Sequence, residues 1–65
     1  MDYLLHLLQS GRWVIFGTHM MFRSTGEGFP ITKKQIDDLR PHLKGGVDPL
    51  LKIEIWEASE LLEGV

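Results

Sequence analysis

The segment at residues 29–36 reads Phe-Pro-Ile-Thr-Lys-Lys-Gln-Ile and predicts where a helix begins. Thr32 is a favoured N-cap residue, and Gln35 can return a hydrogen bond to the Thr32 amide, which together make a capping box. Ile31 before the cap and Ile36 at the fourth helical position form the hydrophobic staple that accompanies such a start. The segment therefore predicts both the first residue of the helix and the side of it that faces the core.

The helix that starts here is expected to be short. Leu39 continues its apolar side at helical spacing. Pro41 has no amide hydrogen to donate and disfavours helical geometry at the residue before it. We predict a helix over about residues 32–40, then a tightened turn through residues 42–43. The two glycines at 45–46 are expected to end this element.

Extended segments are predicted on the N-terminal side. Residues 12–16 are rich in β-branched and aromatic side chains, which favours a strand. Residues 17–18 permit a bend, after which residues 19–23 are expected to resume an extended path. Residues 2–9 are predicted to form a short helix, and a strand is left open there because so few positions define a weak periodicity. The glycines and polar residues at 24–28 indicate a loop, after which residues 29–30 return to the core.

The last third of the chain allows two interpretations. Alternation at residues 50–56 predicts a strand with Ile53 buried and Trp56 on the other face, toward solvent. A short helical turn at 58–62 is expected to follow it. The alternative is one helix over residues 49–63, because an Asp-Pro pair is also a typical helix start. We expect the strand, so the predicted fold class is α+β.

Size and composition limit the class of protein. The 65 residues predict one domain over 1–65 with a thin stability margin. Because there is no cysteine and the histidines do not have zinc-site spacing, we expect neither disulfides nor a metal or other cofactor. No stretch approaches the roughly 20 apolar residues that span a bilayer. We therefore expect a soluble, cytoplasmic protein with no membrane partner.

No group of side chains has the pattern of a catalytic site. Asp37 and Asp38 are adjacent, so on a helix they point about 100° apart and do not converge on one substrate atom. His42 is placed to interact with the last carbonyls of the helix. The loop at 24–28 lacks the lysine and hydroxyl residue of a phosphate-binding loop. We predict that the protein is not an enzyme and has no catalytic residues.

Two binding surfaces are predicted instead. Trp56, as an exposed aromatic residue, indicates a protein interface together with Leu61 and Leu62. We expect the partner to be another protein or a second copy, with a homo-oligomer slightly favoured. A basic face within residues 12–44 is the alternative, and it would contact nucleic acid. Its members are Arg12, Arg23, Lys33, Lys34, Arg40 and Lys44.

Residues 22–29, 31–39 and 48–55 together resemble the N-terminal domain of small Mu-like prophage proteins of Gram-negative bacteria. The shared features are an aromatic-Arg start, a Thr-x-x-Gln-aliphatic-x-x-Leu helix, and an Asp-Pro pair before an alternating strand. The resemblance covers about residues 12–56, and Ser24 stands where the second arginine of the family is usual.

That resemblance implies a small α+β fold and a phage or prophage origin, but the family has no established activity. The expected function is therefore protein–protein contact, either in a virion or its assembly or as an inhibitor of a host protein. Such a protein would lie in the bacterial cytoplasm or in the virion. The alternative is a nucleic-acid-binding accessory factor that uses the basic face.

Overall fold

The computed structural model describes residues 3–61, which form an α+β fold. The helices are α1 (Tyr3–Gln9), α2 (Lys33–Leu39) and a 3₁₀ turn (Arg40–His42). The strands are β1 (Trp13–Phe16), β2 (His19–Phe22), β3 (Gly28–Pro30), β4 (Leu43–Val47) and β5 (Glu54–Ala58).

The strands form one antiparallel sheet in the order β3-β2-β1-β5-β4. The central strand, β1, pairs with β2 on one side and with β5 on the other. Ile15 marks the centre, because it lies opposite Met20 in β2 and opposite Trp56 in β5. Strand β4 forms one edge of the sheet and the three-residue β3 forms the other.

Both helices contribute to a core on one face of the sheet. Leu8 of α1 and Leu39 of α2 are buried in the same cluster as Ile15 and Met20. Val14 is also buried, with 6% of its surface exposed, but it is not part of that cluster. Because successive strand residues point to opposite faces, Val14 marks the second face of the sheet.

The predicted start of α2 is confirmed. The backbone amide of Gln35 donates to Thr32 Oγ1 at 3.1 Å, and the backbone amide of Thr32 donates to the side-chain oxygen Gln35 Oε1 at 2.8 Å. The staple residues Ile31 and Ile36 are both buried in the core cluster. The helix gives way to the 3₁₀ turn at Arg40, within the predicted range. Arg40 itself keeps helical dihedrals, with φ −47° and ψ −40°, so the prediction that Pro41 disfavours helical geometry there is wrong. The missing amide hydrogen of Pro41 still removes one bond of the helix. The N-terminal helix and the first two strands are confirmed as well.

The prediction that the glycines at 45–46 end the preceding element is wrong, because β4 continues through both of them. Gly45 lies opposite Trp56 and has φ 140°. A Cβ at this position would collide with the Ile55 carbonyl oxygen of the neighbouring strand. The glycine therefore permits a close approach of two strands, which is a tertiary requirement.

The C-terminal prediction is right in element type and wrong in position and orientation. The strand runs over Glu54–Ala58, whereas residues 50–51 form a turn. Trp56 packs against the core cluster, so Ile55 occupies the other face. Alternation alone does not say which of the two sets faces the helices, and here the larger side chain does. The alternative of one helix over 49–63 is wrong.

The helical turn predicted at 58–62 is also wrong for the part that the structure describes. Ala58 is the last residue of β5, and residues 59–61 are not helical. The Ser59 amide and hydroxyl both donate to the His42 carbonyl, at 2.8 and 3.1 Å. These bonds attach the end of β5 to the start of β4. Residue 62 lies outside the described residues.

Candidate interaction surfaces

The second face of the sheet, here called the open face, has an apolar centre. Its four apolar residues come from the three middle strands: Val14, Phe16, Met21 and Ile55. Val14 lies opposite Met21, and Phe16 lies opposite both His19 and Ile55. The helices in residues 3–61 pack on the other face, so Phe16, Met21 and Ile55 keep part of their surface exposed.

Charged side chains border this apolar centre. The Arg23 guanidinium donates to Glu57 Oε2 at 2.7 Å, and Lys44 Nζ lies 3.6 Å from Glu57 Oε1. The hydrogen bond from Arg23, helped by the positive charge of Lys44, lowers the pKa of Glu57. Arg12 is the neighbour of Arg23, since the Arg23 amide bonds to the Arg12 carbonyl at 2.9 Å. Arg12 directly precedes β1, and continuing the alternation of that strand by one residue places Arg12 on the open face too.

A groove of about 420 Å³ lies along β2 beside the apolar centre. Its lining includes Phe16, His19 and Met21, with Gly26 and Gly28 on the far side. A methionine in such a lining adapts to partners of different shape. The groove therefore gives the open face a concave part that can take an apolar side chain.

A second groove, here called the aromatic groove, lies where β1, β2 and β3 meet the 23–27 loop. Its volume is about 470 Å³. The Trp13 ring lies 5.1 Å from the Phe22 ring and 5.7 Å from the Phe29 ring, measured between centroids. Phe29 is 37% exposed, and the exposed residues Thr25 and Glu27 complete the lining with Gly28.

The connection between β4 and β5, here called the leucine turn, comprises residues 48–53. Leu50 is 90% exposed and Leu51 is 56% exposed. Asp48 Oδ1 accepts hydrogen bonds from the amides of both leucines, at 2.8 and 3.0 Å. The Lys52 amide bonds to the Asp48 carbonyl at 2.7 Å, and Lys52 has φ 59°. The turn is thus a closed, internally bonded unit that holds two leucines in solvent.

Trp56 is not the exposed ring that the sequence predicted. It packs against the core cluster, its indole N–H donates to Glu54 Oε1 at 3.2 Å, and the Arg40 guanidinium lies 5.3 Å from its ring. The basis for assigning it to an interface is therefore corrected, because the ring faces the helices. Leu61 is exposed, whereas Leu62 lies outside the described residues.

The six predicted basic residues do not form one face. Arg12, Arg23 and Lys44 belong to the open face, whereas Lys33, Lys34 and Arg40 lie on or directly after α2, on the helix side of the sheet. Most of them have acidic partners. Lys34 pairs with Asp38 at 3.1 Å, and Arg40 pairs with Asp37 at 2.9 Å.

Sequence reasoning missed the open face, although a signal for it exists. The strands Trp-Val-Ile-Phe at 13–16 and Met-Met-Phe at 20–22 are apolar at consecutive positions. Such runs indicate that both faces of a strand carry apolar side chains. The helices cover only one face of the sheet, so packing against them does not explain the apolar residues on the second face.

Among residues 3–61 no helix is both long and apolar enough to cross a membrane, and no three His, Asp or Glu side chains group as metal ligands would. Comparison of the chain with protein-family models, with curated proteins and with solved structures found no match. The resemblance to small Mu-like prophage proteins therefore stays a prediction.

Proposed function

We propose that this chain is a small non-catalytic protein that acts through protein–protein contact, as a phage virion or assembly component or as an inhibitor of a host protein. The observation that carries the proposal is the open face, a sheet surface with an apolar centre that no helix in residues 3–61 covers. The prophage setting rests on the sequence resemblance alone.

Covering the open face would be favourable. Burial of apolar surface contributes about 25 cal/mol per Å². Phe16, Met21 and Ile55 lie together and are only partly covered by their neighbours. Contiguous apolar surface with a polar border is typical of sites that contact another protein. The groove beside Met21 offers a place for one projecting side chain of the partner.

The positive charge of the open face favours a different protein as its partner over a second copy of this chain. Three basic side chains, Arg12, Arg23 and Lys44, border the centre against the carboxylate of Glu57. The face is thus positive, although the chain has a formal net charge of −2. A second copy docked face to face would bring like charges together. The proposed occupant is therefore a protein surface with an apolar centre and acidic residues around it.

Selection from a random peptide library on the immobilised full chain tests this proposal. We expect the enriched peptides to combine apolar and acidic residues, and their affinity to fall as salt is added. Met21→Glu should weaken their binding at least about tenfold, because it places a charge in the apolar centre. Tyr3→Glu is the control, since it adds the same charge at an exposed residue of α1.

Two outcomes would overturn the open face as the contact surface. One is a failure to enrich any peptide. The other is peptides that bind Met21→Glu as tightly as the parent. Circular dichroism of each variant shows whether the fold is kept, and Ile55→Lys provides a second change on the same face.

A nucleic-acid-binding accessory factor is the second candidate, favoured by the presence of Arg12, Arg23 and Lys44 beside Phe16 on one face. It is less favoured because Arg23 and Lys44 already pair with Glu57. Salt-titrated binding to duplex and single-stranded DNA tests it, since each phosphate contact adds about 0.9 to the salt slope on duplex DNA. No binding at low salt would exclude this candidate.

A further inference from the structure

We propose that the leucine turn of one copy docks in the aromatic groove of a second copy, so that the protein associates head to tail. This contact uses neither the apolar residues nor the charged border of the open face. It therefore stands or falls independently of the function proposed above.

The leucine turn has no evident role in the fold. A side chain as exposed as Leu50 buries almost nothing within its own chain, yet the backbone beneath it is held in place by Asp48. Asp48 also donates its amide to the Ile53 carbonyl at 2.8 Å, which closes the turn. Because the turn is already ordered, docking it would cost little conformational entropy. The turn therefore presents exposed leucine side chains on an ordered backbone, as a contact site for another molecule would.

The aromatic groove has a size and a lining that suit the leucine side chains of the turn. Its volume of about 470 Å³ falls within the range of about 300–1,000 Å³ that is usual for pockets in proteins. The rings of Trp13, Phe22 and Phe29 line it, and aromatic surfaces of this kind supply much of the binding energy at protein contacts. Leucine side chains are apolar partners suited to such a lining.

The charged residues beside the two surfaces favour the same contact between leucine turn and aromatic groove. Glu27 lines the aromatic groove, and Lys52 follows the two leucines directly. Both side chains are exposed, and neither has an ion-pair partner within residues 3–61. Seating the leucines in a neighbour's groove would bring Lys52 toward that neighbour's Glu27. The second copy is thus complementary in both apolar surface and charge.

The two features cannot meet within one chain. The Gly17 amide bonds to the Glu54 carbonyl, which puts the leucine turn at the Phe16 end of the sheet, beside edge strand β4. The aromatic groove lies at the Trp13 end, beside the other edge. At about 4.8 Å per strand spacing, they are separated by most of the sheet width. Contact between two unlike surfaces generates rings or filaments, unless two copies close reciprocally.

Sedimentation of the full chain over a concentration series tests the contact. We expect the parent to form dimers or larger species. Leu50→Glu should weaken the association about 30-fold, and Phe29→Glu should do the same from the groove side. Tyr3→Glu is the matched control for both, because it introduces the same charge at an exposed residue outside both surfaces.

Mixing the two defective proteins gives the sharper result. Leu50→Glu retains an intact groove and Phe29→Glu retains an intact turn, so the mixture can form one proper contact per pair. At a concentration where the parent associates, we expect each variant alone to be monomeric and the mixture to form a 1:1 complex. Circular dichroism confirms that each variant is folded.

Charge exchange provides a test that does not depend on the Phe29 variant. Glu27→Lys and Lys52→Glu should each weaken association about tenfold, and the double variant should recover most of the loss. Lys33→Glu is the control for Lys52→Glu, because it makes the same change on an exposed lysine of α2.

Three results would overturn the docking. The first is a parent that stays monomeric up to about 1 mM. The second is association that persists unchanged in both Leu50→Glu and the charge variants. The third is a mixture of the two defective proteins that shows no complex. Loss of peptide binding to the open face leaves all three readouts unaffected.

Discussion

The Arg23 guanidinium and the Glu57 carboxylate meet at 2.7 Å on the open face, across the central strand β1. Arg23 directly follows β2 and Glu57 lies in β5, so the bond joins residues 34 positions apart in the chain. Lys44 approaches the same carboxylate from β4. One acidic side chain thereby links three parts of the sheet at the border of the open face.

This arrangement predicts a loss of stability in acid. The pKa of Glu57 is lowered from the ordinary 4.5, mainly by the Arg23 hydrogen bond. A carboxyl whose pKa is lowered by folding stabilises fully above its unfolded-state pKa, and the contribution is lost as the pH falls through the lower folded-state value. Glu57→Gln should therefore cost up to about 1 kcal/mol at pH 7 and nothing once the carboxyl is protonated.

Urea unfolding of parent and Glu57→Gln across pH 3–7 measures this difference. Glu60→Gln is the matched control, because Glu60 is exposed and forms no ion pair within residues 3–61. A gap between parent and Glu57→Gln that stays constant with pH would contradict the assigned role of the carboxylate.

The capping box predicts a measurable contribution from one hydroxyl. Thr32→Ala removes the acceptor for the Gln35 amide and should lower the free energy of unfolding by about 1 kcal/mol. Thr32→Ser keeps that acceptor and should recover most of the loss. Chemical denaturation of the three proteins provides the comparison, and equal losses for alanine and serine would rule out the hydroxyl as the cause.

Two leucines give a matched test of the core. Leu39 is 1% exposed in the core cluster, whereas Leu50 is almost fully exposed. Leu39→Ala should lower the free energy of unfolding by about 2–5 kcal/mol, enough to leave most molecules of so small a domain unfolded. Leu50→Ala should change stability by less than about 0.5 kcal/mol. Thermal melts at a concentration where the parent is monomeric measure both, and a large loss for Leu50→Ala there would mean that the leucine turn supports the fold.

The neighbouring glycines of β4 form a second matched pair. A Cβ at Gly45 would collide with the Ile55 carbonyl oxygen, and its φ of 140° is unfavourable for other residues. Around Gly46 nothing lies within 4 Å of an added Cβ. Gly45→Ala should therefore destabilise by more than about 1 kcal/mol, while Gly46→Ala should be close to neutral. Equal effects in urea unfolding would contradict the close packing of β4 on β5.

The local elements of this protein were predictable where neighbouring residues determine them. Thr32 and Gln35 bond to each other within one helical turn, and Pro41 limits the helix through its own ring. The β-branched and aromatic run at 13–16 identifies a strand for a similar local reason. The geometry of both candidate surfaces was predicted wrongly. Trp56 packs against the core instead of facing solvent, and the predicted basic face is divided between two sides of the sheet.

By itself, the sequence therefore determined the capped helix, its early end, the first two strands and the α+β class. Only the tertiary structure decided that Gly45 belongs to a strand, that Trp56 faces the helices and that Met21 does not. Capping and proline effects act between residues a few positions apart. The face that a strand residue occupies depends on strands and helices far along the chain, because both faces of β1, β2 and β5 carry apolar side chains and only one of them meets the helices.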